Sequence, residues 1–333
     1  MAKKRILLTV VILLVLAAAY QILFNSNEEP ISDSSVPLKT IVVIKFAMHP
    51  ALDATEDGIL DVLSKLKVEG KTKYRLNIEK RCANGSPQVA KQLAENATRK
   101  DVDLIIAIAT PAAQAVSRTP SNIPILYGAV SDPKGAGILD SGRATGIKNV
   151  GPNIIESAVN FIRIAFPDKK KLGTIFNPAE QNSVYVQNIL KEVAPKYNFI
   201  LISREVRDAT QVSATTELLC QEADIIYSAN DNTVNTAISS VVAVTTKKKK
   251  PFILGDLSTL DSGALAAIGL EYFSMGQKVG QMGLEILSGR QIKEMPPMPA
   301  PNPEIWINKK TLKLFDYTLP SVAINMVDKF IEY

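Results

Sequence analysis

The sequence predicts an α/β protein built as two doubly wound, Rossmann-like lobes. Three observations carry that expectation. Short runs rich in β-branched residues alternate with amphipathic helical patterns from residue 40 onward. Most of those runs are apolar at every position, as in parallel strands covered on both faces. The alternation then restarts near Asn149-Val150-Gly151, and 333 residues suffice for two units of ordinary size.

In the first half, residues 41–46 are a continuous apolar strand and 51–66 place apolar residues at helical spacing. Residues 74–81 alternate like a half-covered strand. Ser86 followed by Pro87 supplies an N-cap and a first helical position for a helix reaching about residue 98. Residues 103–109 read as a buried strand, Thr110-Pro111 as the cap of the next helix, and 123–130 as a fourth strand. The second half repeats the scheme: helix 153–166, strand 171–176, helix 182–197, strand 199–206, helix 211–220, strand 223–228, helix 232–246 and strand 252–255. Segments 264–271, 275–287 and 304–307 complete the pattern, and the proline-rich 295–303 reads as a stiff connection. The domain expectation is residues 39–150 with about 275–295 in an N-terminal lobe, 151–274 with about 296–320 in a C-terminal lobe, and a tail over 321–333.

Residues 1–24 stand outside this scheme. Lys3, Lys4 and Arg5 precede an apolar run over 6–24, which fits either a secretory signal peptide with Ala17-Ala18-Ala19 as its cleavage region or an N-terminal membrane anchor. Tyr20 stands where a lipoprotein signal would carry cysteine. Residues 25–38 are polar and rich in Ser and Pro, a tether. Both outcomes place the rest of the chain outside the cytoplasmic membrane.

Composition excludes several classes. Hydrophobic residues at 46% and charged residues at 21% are those of a globular chain, not a disordered or fibrous one. Aromatics at 6%, with no basic and aromatic motif, argue against nucleic acid. The net charge is +5, but Lys3, Lys4 and Arg5 account for three of the five, so electrostatics does not choose the partner. Two cysteines, Cys82 and Cys220, permit a disulfide but give no framework, and with one histidine they make a poor metal set. No Walker sequence, dinucleotide loop or G-x-S-x-G elbow occurs. His49 has no nucleophile to serve, so it reads as packed or hydrogen-bonded before the first helix.

In open α/β sheets ligands bind beyond the carboxyl ends of the strands. Those ends are polar here in both halves: Met48-His49-Pro50, Ala109-Thr110-Pro111-Ala112 and Ala129-Val130-Ser131-Asp132 in the first, and Asn177 to Ser183, Asn230-Asp231-Asn232 and Asp256 in the second. Helix N-termini there suit a carboxylate, and Asp132, Glu180, Asp231, Asp256 or Glu271 suits an ammonium group. The pair of functions describes a small amino acid-like ligand. Read singly, Thr110, Asn182 and Asp231 are also ordinary helix caps.

The stretches MHPALDATEDGILDVL (48–63), DLIIAIATPAAQA (103–115), ILYGAVSDPKGAG (125–137), NPAEQNS (177–183), YSANDNTV (227–234) and GALAAIGLEYFSMGQKVG (263–280) resemble the substrate-binding proteins of ABC transporters, in particular the group associated with tryptophan and tyrosine uptake. The resemblance runs over about 40–320. It implies a type I periplasmic binding protein fold, two lobes with three crossovers closing on one small molecule and presenting it to a membrane ABC permease. It implies that the helix 275–287 returns to the first lobe and the strand near Trp306 to the second. It implies a ligand site of Thr110, Pro111, Ala112, Ala129 and Asp132 facing Asn177, Glu180, Asn182, Asp231, Asn232 and Asp256; Glu271 remains an acidic candidate for the ammonium group, and the apolar loop around Met48 and Leu52 is expected to meet the ligand's side chain. Many relatives carry a lipid-anchoring cysteine after the signal, which this chain lacks. Glu271-Tyr272 stands where relatives often have Asp-Tyr. The expected function is an extracytoplasmic, monomeric solute-binding protein for an aromatic amino acid, tryptophan or tyrosine, without enzymatic chemistry, cofactor or metal. The alternative is a membrane-anchored sensor that reports ligand to a signalling partner.

Overall fold

The structure is a computed structural model that describes residues 36–68 and 74–332. The signal or anchor expected over 1–24, and most of the tether, lie outside those residues. Among the described residues no helix is long and apolar enough to cross a membrane.

Two sheets organise the chain, as the sequence predicts. The first contains β1 (Leu38–Lys45), β2 (Arg75–Cys82), β3 (Leu104–Ile108), β4 (Ile125–Val130) and β5 (Ala144–Lys148), in the order β2-β1-β3-β4-β5, all parallel. The second contains β6 (Lys171–Phe176), β7 (Ile200–Glu205), β8 (Ile225–Ser228), β9 (Phe252–Asp256), β10 (Ala266–Leu270), β11 (Glu304–Asn308) and β12 (Lys329–Ile331). Its order is β7-β6-β8-β9-β10-β11-β12, so its first five strands repeat the topology of the first sheet. Only the β10–β11 pairing is antiparallel. Each sheet therefore has one switch point where strand order reverses, between β1 and β3 and between β6 and β8, and crevices open at such points.

The helices are α1 (Pro50–Val68), α2 (Pro87–Asn96), α3 (Thr110–Arg118), α4 (Pro152–Ala165), α5 (Gln181–Val193), α6 (Val212–Glu222), α7 (Asn232–Thr236), α8 (Ile238–Lys247), α9 (Tyr272–Leu287), α10 (Lys309–Leu314) and α11 (Ser321–Ile324). Ser86 caps α2 as expected, its hydroxyl accepting from Val89 N. Central strands such as β3 are buried at every residue, and β2 at the edge is only partly covered, with Leu76 its one fully buried residue. The second sheet carries one apolar cluster with α4 and α5 and another with α6 and α8, so helices cover both faces.

Three crossovers join the sheets. The chain leaves β5 for α4, returns from β10 into α9, and leaves again along the proline-rich segment before β11. Tyr272, Met275, Val279, Met282 and Ile286 of α9 join the core of the first sheet. On its way to β11 the last crossover pairs with β5, Met298 N donating to Gly146 O at 2.8 Å and Lys148 N to Met298 O at 3.0 Å. Several elements differ from the sequence expectation. β5 was not anticipated, the single helix expected over 232–246 breaks at Ala237 into α7 and α8, and β12 with α11 occupies the expected tail. Cys82 and Cys220 are both free thiols, one on β2 and one buried on α6.

Helix α9 is fixed to α1 by glycines that let the backbones touch. A Cβ on Gly276 would lie 2.2 Å from Thr55 O, and one on Gly58 would lie 2.1 Å from Phe273 O. Neither obstacle is a movable side chain. Gly276→Ala is expected to lower unfolding stability by about 2 kcal/mol, measured by urea denaturation.

Candidate functional site

The two switch points face each other, and the groups that gather there come from short loops after strands. In the first lobe the loop after β1 delivers Met48 and His49, the β3–α3 junction delivers Ala109 and Thr110, β4 ends at Ala129 to Ser131, and Asn149 follows β5. In the second lobe β6 leads to Asn177, Glu180 and Asn182, and β8 to Asn230, Asp231 and Asn232.

Three strained backbone positions lie here. Ala109 (φ 79°, ψ 154°), Ala129 (φ 57°) and Asn230 (φ 53°) have positive φ without being glycine. Ala129 sits where the β4–β5 register shifts. Strain of this kind persists only where surrounding contacts over-determine the turn, and it clusters at ligand sites.

Glu180 is the best-satisfied side chain of the second lobe. Its Oε1 accepts from Thr233 N (3.1 Å) and Thr233 Oγ1 (2.7 Å); its Oε2 accepts from Asn232 N (3.3 Å), Asn182 Nδ2 (3.2 Å) and Asn232 Nδ2. Asp231 accepts from Asn177 N (2.7 Å) and Val234 N (2.8 Å) and is the N-cap of α7. Burial, and then the neighbouring Glu180, push the Asp231 carboxyl well above the usual range. Asp256 accepts from Thr259 N at 3.0 Å and Thr259 Oγ1, and burial raises it to about 6.

Hydrogen bonds within and between the lobes tie these loops together. His49 Nε2 meets Asn232 Oδ1 at 3.2 Å. Tyr272 Oη donates to Asn230 Oδ1 at 2.8 Å and accepts from Asn149 Nδ2 at 3.0 Å, while Ser131 Oγ donates to Asn149 Oδ1 at 3.1 Å. Lys148 Nζ lies 5.7 Å from the centre of the Tyr185 ring on α5. The lobes are in contact.

Two spaces lie between them. A small cavity of about 10 Å³, room for one water-sized group, is lined by His49, Ala51, Leu52, Ala129, Ser131, Asn149, Asn182, Asn230, Asn232, Asn235 and Tyr272. No carboxylate, lysine or arginine is among those lining residues. A wider cleft of about 1030 Å³ takes Phe46, Met48, Pro111 and Gln114 from the first lobe and Asn177, Glu180, Arg207 and Thr233 from the second. Asn232 lines both.

The sequence-derived site residues divide accordingly. Leu52, Ala129, Asn182 and Asn232 line the cavity; Met48, Pro111, Asn177, Glu180 and Asn232 line the cleft. Thr110 and Ala112 are buried and line neither. Helix α3 begins at Thr110 with Ala109 as its cap, so the Thr110 hydroxyl lies in the first turn instead of capping it, and it has no hydrogen-bond partner. Asp132 accepts from Gly135 N within its own turn, and Glu271 caps α9 through Phe273 N and Ser274 N. Sequence reasoning set His49 aside and did not single out Asn149, Asn235 or Tyr272 as lining residues. The available signal for His49 was its position, the first polar residue after β1 at a switch point. Among the described residues no cluster of His, Cys, Asp and Glu suits a metal ion.

The profile of the ABC transporter substrate binding protein family matches residues 40–329, and the chain belongs to that family. Members are extracytoplasmic solute-binding proteins, not enzymes, and they work with membrane ABC permeases. A tyrosine-binding protein of Clostridioides difficile is 29% identical, the match covering 87% of this chain and 84% of that protein. The crystal structure of a conserved domain protein from Vibrio cholerae is 30% identical, covers 88% of this chain and 99% of its own, and superimposes with a TM-score of 0.82. A Streptococcus pneumoniae domain crystallised with L-Trp has the same fold, with a TM-score of 0.81 at 24% identity, covering 88% of this chain and 99% of its own. The fold is the type I periplasmic binding fold, also seen in a leucine-binding protein of Thermotoga maritima.

Strain at Ala109 has a direct consequence. Ala109→Gly is expected to raise unfolding stability by about 1 kcal/mol, relief of the disfavoured φ outweighing the added chain entropy. Ala109→Val should lower it, and denaturant unfolding of the three proteins separates the outcomes.

Proposed function

We propose that this chain captures an aromatic L-amino acid, tyrosine first, between its lobes and delivers it to an ABC permease for uptake. The carrying observation is the meeting of two topological switch points around one polar cavity, with a wider cleft beside it that is partly apolar through Phe46, Met48 and Pro111. The tyrosine-binding relative from Clostridioides difficile supports the choice of ligand. Thr110 adjoins Pro111 of the cleft wall, and its unpartnered hydroxyl and the free first-turn amides of α3 suit the ligand carboxylate once the lobes part. Ala129, Asn182 and Asn232 frame the amino-acid end, and Met48 and Leu52 accompany the side chain. Asn177, Glu180, Asp231 and Asp256 hold the second lobe's loops in register behind them.

Lobe motion belongs to this reading. A cavity of about 10 Å³ is smaller than any amino acid, so the lobes part to admit one and close over it. Closure removes water and strengthens each polar contact. Residues 6–24 serve export, as a cleaved signal or as a retained anchor.

Thermal unfolding against a panel of L-amino acids tests the proposal. Tyrosine or tryptophan is expected to stabilise the protein, by about 2.7 kcal/mol at a concentration one hundred times Kd. No shift with any amino acid at millimolar concentration refutes it.

A further inference from the structure

Two residues that line the small cavity from opposite lobes each carry a buried acceptor atom without a partner. His49 is 5% exposed and Asn182 4%. Asn182 commits its Nδ2 to Glu180, Ser183 and the Asn230 carbonyl, which leaves its Oδ1 orphaned. The His49 tautomer follows from its neighbours. Asn232 gives Nδ2 to Glu180, so its Oδ1 is the atom that faces His49 Nε2. An oxygen there requires the proton on Nε2. The neutral ring then presents a bare lone pair at Nδ1, the atom without a partner.

An ammonium group is water-sized and brings three donors, which matches a cavity of one-water volume with two unfilled acceptors. The carboxylates expected to meet that charge are engaged elsewhere. Glu180, Asp231 and Glu271 hold helix N-terminal amides, Asp132 closes its own turn, and Asp256 holds Thr259. We infer that the small cavity receives the protonated amino group of the ligand, with His49 Nδ1 and Asn182 Oδ1 as its neutral acceptors from the two lobes. This rests on the amino-acid reading above and assigns its ammonium contact.

The assignment couples capture to pH. Burial pushes the His49 imidazole down to about 4. The Asn232 hydrogen bond and Asp53 of α1 act the other way, Lys45 at the end of β1 acts with burial, and Glu180 reaches the ring through Asn232. With the lobes apart the ring meets water and returns towards its ordinary 6.5. The closed form thus excludes the proton. Affinity is at full strength above the ordinary value and weakens as pH falls towards the depressed one. From about pH 7.5 to about pH 5 the expected loss is roughly 25-fold.

Titration calorimetry on the full chain tests this with L-tyrosine and desaminotyrosine, which keeps the ring and carboxylate but has no amino group. His49→Gln retains an N–H donor for Asn232 and leaves no acceptor at the position of Nδ1. The variant is expected to lose roughly tenfold or more in L-tyrosine affinity near neutral pH. It should bind desaminotyrosine as the wild type does and show little pH dependence. Unchanged L-tyrosine affinity and pH profile overturn the inference and leave the tyrosine reading standing. An equal loss for both ligands makes His49 a structural latch and also overturns it. If the variant does not fold, the wild-type profile decides, and a flat affinity over that range refutes the coupling. A wild type that binds no L-tyrosine removes both readings.

Discussion

The cleft depends on one buried carboxylate. Glu180 gathers donors from Asn182, Asn232 and Thr233, so a single side chain after β6 sets the N-terminus of α7 and the orientation of two asparagines. A carboxylate is acceptor-only, so every neighbour must turn a donor towards it. Asn232 therefore presents its oxygen to the other lobe, and His49 answers with an N–H. Hydrogen-bond polarity is transmitted from the second lobe to the first without a charged residue lining the cavity between them.

A second constraint is the placement of α9. It starts at Tyr272, whose hydroxyl joins Asn149 to Asn230, and it then packs into the first lobe's core through glycine contacts with α1. The helix that follows β10 of the second sheet is thereby part of the first lobe's body. Tyr272, where the crossover enters α9, therefore bonds to Asn149 of the first lobe and Asn230 of the second.

The fold was legible because parallel strands covered on both faces leave continuous apolar runs, and β1, β3, β4 and β9 all show them. β5 was not, since Ala144–Lys148 carries Thr145 and Gly146 at the edge of its sheet and has no apolar run to find. The break at Ala237 has no Gly or Pro to announce it. The α7 residues Asn232, Thr233 and Asn235 are weak helix formers held by Glu180 and Asp231, a tertiary cause invisible to local pattern. The site was half legible. Strand-end positions followed from topology, but the roles of the acids did not. A carboxylate beside a helix N-terminus reads equally as cap or ligand partner, and only the direction of the amide groups decides. His49 was set aside because chemistry was sought in it, whereas its use lies in an unpaired acceptor that only burial reveals.

Unfilled acceptors also bear on why an empty cleft would rest apart. A buried acceptor without a donor costs about 1–3 kcal/mol relative to one that meets water. His49 Nδ1 and Asn182 Oδ1 are both in that condition with the lobes in contact. Separation hydrates them, so contact between empty lobes is opposed by the groups that make the site specific. A ligand that supplies the missing partners removes that penalty in the closed form alone, and differential interaction is what shifts a two-state population. A tightly fitting hydrocarbon of the same size would bury area yet leave the acceptors bare. On this reading the orphaned atoms supply both selectivity for an amino acid and the drive to close on it.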